Sequence, residues 1–195
     1  MASAGILIGT ELIKFVAPIS VNSNQPAFVS DAISLRRNTR GQGAQRWEIN
    51  AKLEPSNNSA DFLVHSVVNG HSEVFSVKMP QVFRMVPLDI TGNAVAGETA
   101  KGSTSVNITG TNLPLPKGEF INFANHDKVY LVTGVVGSTY TISPRLIAAV
   151  ALNTVVRYGA NTIMKARYDT DTMLGITYVD GIMSDPGTVK LIEDF

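Results

Sequence analysis

Residues 119–132 have the sequence EFINFANHDKVYLV. Two runs rich in apolar residues, 119–123 and 128–132, flank four polar or small residues, and each run has the length of a short β-strand. The intervening residues 124–127 are too few for a helix and predict a tight turn. The stretch therefore predicts a β-hairpin and favours a mainly β fold for the chain around it.

Further strands are predicted on both sides of this hairpin, at 103–108, 139–143 and 154–158. Residues 147–152, between the last two, are expected to form one helical turn. Five short strands separated by turns are typical of a small barrel of the OB or SH3 size class. We therefore predict that residues 87–158 form an OB-like β-barrel.

The chain before this barrel also contains positions at which apolar and polar residues alternate, a pattern typical of half-buried strands. It predicts strands at 29–35, 47–53 and 73–79. The polar, glycine-containing residues 36–43 are expected to form a hairpin loop. Candidate capping residues followed by an apolar run predict one short helix at 60–68.

The residues after the barrel hold two more predicted strands, at 162–168 and 187–193. So short a segment cannot bury a core alone, so we expect it to complete the sheet begun by the first part of the chain. The predicted fold is mainly β. A split β-sandwich or barrel domain with one short helix, residues 1–86 plus 159–195, is interrupted by the inserted OB-like barrel.

The composition favours a packed, partner-covered protein over several other classes. Hydrophobic residues make up 44% of the chain and charged residues 16%, and sixteen basic residues balance sixteen acidic ones. Nucleic-acid binding needs clustered positive charge, so no nucleic-acid partner is predicted. The chain has no cysteine, which excludes disulfides, thiolate nucleophiles and cysteine-ligated zinc.

No motif for catalysis, cofactor binding or metal binding is present in the sequence. There is no G-x-S-x-G elbow and no H-E-x-x-H pair. His65 lies four residues after Asp61 in the predicted helix, and we interpret it as a structural histidine. The first eight residues lack a basic segment ahead of their apolar run, and no apolar run has the length of a membrane span. The sequence therefore predicts a protein made in the cytoplasm, without enzymatic activity, cofactor or membrane span.

One cluster of positive charge stands out in the predicted hairpin loop and just after it. It consists of Arg36, Arg37, Arg40 and Arg46. No aromatic residues for base stacking are interleaved with these arginines. We expect the cluster to be solvated or to dock against an acidic neighbouring subunit, which makes it a candidate subunit interface.

Aromatic residues of the predicted barrel form a second candidate site. Carbohydrate binding would require Phe120, Phe123, His126, Tyr130 and Tyr140 to lie together on an exposed barrel face. Alternation along the strands instead predicts that several of these rings point into the barrel. Core packing is therefore the favoured interpretation, and carbohydrate contact is the alternative.

Four stretches, in this order and spacing, resemble the distal tail proteins of long-tailed bacteriophages, which are ring proteins of the tail tip or baseplate. The stretches are QRWEINAKL at 45–53, VKMP at 77–80, KGEFINFANHDKVYLV at 117–132 and TISPRL at 141–146. The resemblance is to the short form, in which a β-domain is interrupted by a small OB-like barrel. It extends from about residue 33 onward.

The resemblance implies a structural protein of the virion tail, made in the host cytoplasm. Such proteins form a ring, commonly a hexamer, that joins the tail tube to the tip or baseplate. The implied partners are further copies of the chain, the tail tube protein and the tip or baseplate hub proteins, with host carbohydrate as a possible ligand. The split β-domain would form the ring through sheet edges, and the inserted barrel would face outward.

Overall fold

The protein is mainly β, as the sequence predicts. The computed structural model describes residues 4–31, 37–41, 43–55, 64, 68–81, 94–110, 114–169, 177–179, 183–185 and 187–195. Among these, the 3-10 turns are Gly70–Ser72 and Gly159–Asn161. No helix among the described residues is long and apolar enough to cross a membrane.

The strands are numbered in chain order. They are β1 (Gly5–Ile8), β2 (Glu11–Asn24), β3 (Ala27–Asp31), β4 (Arg37–Gly41), β5 (Arg46–Leu53), β6 (Phe75–Lys78), β7 (Ala94–Val95), β8 (Ser105–Thr109), β9 (Phe120–Phe123), β10 (Val129–Val136), β11 (Thr139–Ser143), β12 (Val156–Tyr158), β13 (Ile163–Tyr168), β14 (Thr177–Val179), β15 (Met183–Asp185) and β16 (Thr188–Glu193). Every strand predicted from Trp47 onward has a counterpart here.

Six strands form a closed barrel in the order β1-β2-β5-β16-β13-β6. Its strands come from both ends of the described chain, and β7 to β12 lie between them in sequence. In β5 the residues Trp47, Ile49, Ala51 and Leu53 are buried, and those between them are exposed or half-buried. This alternation places one face of the strand in the barrel core, as period-two patterning requires.

The strands β7 to β12 form a second sheet in the order β12-β9-β10-β11-β8-β7. An isolated bridge between Ala94 and Val155 links the two edge regions, so the sheet curls back on itself. Its core is separate from the barrel core and includes Phe123, Tyr130 and Tyr140. Two hydrophobic cores therefore form within one short chain.

The prediction of a hairpin loop at 36–43 is wrong, because residues 37–41 form a strand. β3 and β4 pair in an antiparallel ribbon whose register runs from Ala27↔Gly41 to Asp31↔Arg37. The chain turns after this ribbon at Gly43, whose φ of +75° is a conformation that glycine adopts readily. The glycine-containing segment is thus the connection between β4 and β5 rather than the tip of the hairpin.

Two other local predictions are corrected or left open. Residues 147–152 form no helical turn, because Val150 makes an extended bridge with Thr99. The helix predicted at 60–68 lies outside the described residues except for Val64 and Val68, which are helical. His65 lies outside the described residues as well.

The long strand β2 has no counterpart in the predicted pattern. Its register against β5 shifts between Val16 and Ser20, around Pro18, which has no backbone N–H to donate to the sheet. The interruption breaks the alternation by which strands are recognised in a sequence.

Truncation of a side chain in the barrel core should strongly lower the stability of the protein. Replacing Ile49, which is fully buried, with alanine should lower the free energy of unfolding by about 2–5 kcal/mol, because the cavity left behind is not refilled. Urea denaturation measures the change. The matched control is Val136→Ala at an 80% exposed position, where a change within about 0.5 kcal/mol is expected. Equal losses at both positions would contradict this core assignment.

Candidate functional site

A buried ion pair joins the barrel to the second sheet. Lys128 immediately precedes β10 of the second sheet, and Glu193 is the last residue of β16 in the barrel. Their side chains form a salt bridge and are both 0% exposed. Charged residues are rarely buried this completely unless they are paired, so the contact has a specific structural role.

Further hydrogen bonds surround this pair, and most of them cross the same boundary. Lys128 Nζ donates to the carbonyl oxygen of Gln45 at 2.8 Å. The Glu193 carboxylate accepts from the backbone N–H groups of Val129 at 2.9 Å and Trp47 at 3.0 Å. The Trp47 indole N–H donates to the Val129 carbonyl oxygen at 2.9 Å. We call these five residues the polar joint.

Burial and pairing have opposite effects on the pKa values of the two charged residues in the joint. Burial lowers the pKa of Lys128, and the neighbouring Glu193 carboxylate opposes this. Burial raises the pKa of Glu193, and Lys128 together with two backbone donors opposes it. Each charge opposes the loss of charge that burial favours in its partner, so removing one leaves an isolated buried charge.

Aromatic rings enclose the polar joint. The Trp47 and Phe120 rings meet edge to face, with centroids 5.1 Å apart. Lys128 Nζ lies 4.1 Å from the centroid of the Phe195 ring, in cation–π geometry. Phe195 also lines a cavity of about 450 Å³ beside the joint, together with Pro26 and Arg46.

A second set of hydrogen bonds ties the two chain segments that cross from one sheet to the other. The Gln81 side chain accepts from the Phe120 N–H at 2.9 Å and donates to the Gly159 carbonyl oxygen at 3.1 Å. Thr162 Oγ1 donates to the Phe120 carbonyl oxygen at 2.8 Å. Asn122 Nδ2 donates to the backbone of β13 at 3.0 Å. Both crossings are therefore fixed beside the polar joint.

His126 links the tight turn of the second sheet to the segment after β11. Asn125 Nδ2 donates to the Ala149 carbonyl oxygen at 2.8 Å, which leaves Asn125 Oδ1 to face His126 Nδ1 at 2.9 Å. Nδ1 must then carry the proton, and Nε2 accepts from the Tyr130 hydroxyl at 2.8 Å. That hydroxyl in turn accepts from the Ile147 N–H at 3.1 Å. The network suits neutral histidine, and burial lowers the pKa of His126 while Asp127 raises it.

The aromatic candidates for carbohydrate contact are core residues. Phe123, Tyr130 and Tyr140 are fully buried, and Phe120 is 6% exposed. Phe123, Tyr130 and Tyr140 pack in the core of the second sheet, whereas Phe120 packs in the barrel core, because β9 is buried on both faces. The exposed aromatic face considered from the sequence is therefore wrong for these four rings. Only His126 of that group is partly exposed.

The arginine candidates are spread along the ribbon and its base rather than gathered in a loop. Arg37 and Arg40 belong to β4, and Arg46 begins β5, with its Nε 3.3 Å from Glu48 Oε1. Arg40 and Arg46 are exposed. Arg36 lies outside the described residues.

Sequence reasoning did not single out the ion pair. Lys128 belongs to the stretch that carries the family resemblance, but no role was assigned to it. Its partner Glu193 is 65 residues away, so no spacing rule connects the two. A lone lysine directly before a strand with buried residues was the only local signal.

Comparison of the sequence with models of protein families and with curated proteins found no match. Among the described residues, no group of three or more histidine, cysteine, aspartate or glutamate side chains could hold a metal ion.

Loss of one charged partner of the joint should lower the free energy of unfolding much more than loss of a surface charge does. Lys128→Met should lower the free energy of unfolding by about 3–5 kcal/mol, because it leaves the Glu193 carboxylate buried without a cation. Urea denaturation provides the measurement. The control is Lys14→Met, which removes an exposed pair with Glu54 and should change stability by less than about 1 kcal/mol. The double variant Lys128→Met/Glu193→Gln should be less destabilised than the sum of its single variants, and strict additivity would contradict the pairing.

His126 should make stability depend on pH on the acidic side of neutrality. Its pKa in the folded protein lies below the ordinary value of about 6.5. The stability it contributes is therefore present above about pH 6.5 and is lost as pH falls through the folded-state pKa. His126→Gln should lose less stability than the wild type between pH 8 and pH 5, measured by urea denaturation. His71→Gln, at an exposed histidine, is the matched control, and identical pH profiles for the two variants would contradict the prediction.

Proposed function

We propose that this protein is a structural subunit of a ring at the distal end of a phage tail, joining the tail tube to the tip or baseplate. The observation that carries the proposal concerns residues 117–132, the longest stretch of the family resemblance. His126, Lys128, Val129 and Tyr130 of this stretch make the contacts that hold the second sheet together and fix it to the barrel. The resemblance therefore involves residues with a defined structural task.

The contacts support a geometric rather than a catalytic role. The charged atoms of the polar joint are fully buried and hydrogen-bonded to one another. Such groups cannot reach a substrate, but they fix the angle between two bodies. A connector in a tail needs this property, since it must present one surface to the tube and another to the tip.

Free strand edges support the proposal of assembly with other subunits. Among the described residues, β3–β4 and β14–β15 are ribbons of two strands, each strand having one partner. Backbone groups at their outer edges can pair with a neighbouring chain. Rings built from repeated heterologous contacts close when the rotation between subunits permits it.

The proposal predicts closed rings with a central opening close to the width of a tail tube. Sedimentation or light scattering of the purified protein over a range of concentrations gives the mass, and negative-stain electron microscopy shows the shape. The sample should also be mixed with a phage tail tube protein, because the tube end can template a ring. A chain that stays monomeric alone and does not bind the tube end would contradict the proposed function.

A further inference from the structure

Lys128 and Glu193 hold an amine and a carboxyl group in direct contact inside the protein. Lys128 Nζ touches Glu193 Oε2, and both side chains are 0% exposed. An amine and a carboxyl group are also the two reactants of amide formation. Reactants that are held in contact avoid the entropic cost of finding each other. The polar joint therefore has the composition of a reaction site as well as that of a structural contact.

Burial favours the uncharged forms that amide formation requires. An ammonium group has no free electron pair with which to attack, so the reaction needs the free amine and the carboxylic acid. One proton transfer from Nζ to Oε2 generates both from the ion pair. Burial favours this transfer, because it lowers the pKa of Lys128 and raises the pKa of Glu193. The amide is neutral, so its formation removes two charges from the protein interior.

Two backbone N–H groups are placed to stabilise the attack on the carboxyl carbon. The Val129 N–H donates to Glu193 Oε1 at 2.9 Å, and the Trp47 N–H donates to Oε2 at 3.0 Å. Negative charge develops on Oε1 when the amine attacks, and fixed donors away from water stabilise such charge strongly. The Phe195 ring covers Nζ, with its centroid 4.1 Å away. The joint therefore combines a dry environment with a donor for the developing oxyanion.

Gln45 provides acceptors for the amine and for the water that the reaction releases. Its carbonyl oxygen accepts from Lys128 Nζ at 2.8 Å, and it can accept equally from the single N–H of the product amide. Its side-chain oxygen is buried and has no hydrogen-bond partner among the described residues. Gln45 and Glu193 both line the cavity of about 450 Å³ beside the joint. This cavity has room for several water molecules, so released water can leave the joint.

From this geometry we propose that Lys128 and Glu193 condense to an intramolecular amide, an isopeptide bond between the second sheet and the barrel. A bond forms between Lys128 Nζ and Glu193 Cδ, and the bond between Cδ and Oε2 breaks. Of the three ammonium hydrogens, one stays on the amide nitrogen and two leave with Oε2 as water. The reaction consumes no oxidant or reductant, and the inference does not rest on the proposed tail-ring function.

The bond would change how the two bodies of the protein are held together. Lys128 and Glu193 are 65 residues apart in the chain, so the amide closes a covalent loop and restricts the unfolded chain, as a disulfide does. The noncovalent contacts of the joint are lost when the protein unfolds, whereas the amide persists. The barrel and the second sheet would thus stay linked under heat or a pulling force.

Mass spectrometry of the purified, denatured protein tests the proposal. The wild-type chain should weigh one water molecule less than its sequence requires. Lys128→Arg keeps the positive charge but lacks a reactive amine, since the guanidinium stays protonated, so this variant should have its full sequence mass. Circular dichroism shows whether the variant folds. A wild-type chain that keeps its full mass after prolonged incubation in the folded state would overturn the proposal.

Tryptic digestion of the denatured wild type locates the bond without any variant. Trypsin cleaves after a free Lys128 and separates residues 118–128 from residues 129–145. A condensed Lys128 resists cleavage, so residues 118–145 should remain intact and carry the peptide that begins at Leu191 as a branch. Complete cleavage after Lys128, or a water loss located in any other peptide, would overturn the proposal.

Lys190 is the matched control within the same chain. It also contacts a carboxylate, that of Asp169, but its side chain is 44% exposed. Water stabilises the charged forms of both groups there, so no condensation is expected and trypsin should cleave after Lys190. A branch at Lys190 as well would reject burial as the cause. Closed rings built from chains of full mass would leave the tail-ring function standing and reject the isopeptide bond.

Discussion

The Glu193 carboxylate brings together three distant parts of the chain, since it accepts from Trp47 and Val129 and pairs with Lys128. Two separate hydrophobic cores have no intrinsic preference for one mutual angle, because apolar burial is non-directional. Hydrogen bonds with fixed donors and acceptors supply that preference. The polar joint therefore contributes orientation more than net stability, which agrees with the general behaviour of buried ion pairs.

The difference between non-directional apolar burial and directional hydrogen bonds explains which parts of the structure the sequence predicts. Strands such as β5 and β11 are predicted almost to the residue, because burial on one face imposes a period of two. The β3–β4 ribbon belongs to neither core. Alternation predicted a strand at 29–35, which overlaps the end of β3, but no such pattern marks β4, and its arginines were assigned to a loop. In β2 the alternation exists but is broken around Pro18, so the strand could not be recognised from spacing alone.

The candidate sites also show that sequence patterns predict burial better than they predict contacts between distant residues. For the aromatic residues of the second sheet, a surface position and a core position were both considered. The core interpretation was correct for Phe123, Tyr130 and Tyr140, whereas Phe120 is buried in the barrel core instead. Lys128 and Glu193 could not be predicted as a pair, because only the closing of the barrel against the second sheet brings them together. Local patterns identify which face of a strand is buried, whereas the pairing of distant polar residues depends on the topology of the whole chain.

The polar joint also bears on assembly, although none of its atoms needs to touch a neighbouring copy. Repeated contacts between copies close into a ring only when the rotation from one copy to the next is a whole fraction of a full turn. That rotation depends on the angle between the surfaces that one chain presents to its neighbours. The joint fixes the angle between the barrel and the second sheet, because Lys128 of the second sheet donates to the Gln45 carbonyl oxygen and pairs with Glu193 of the barrel. In the proposed ring, a loosened joint would therefore be expected to spread the rotation angle and favour open chains over closed rings.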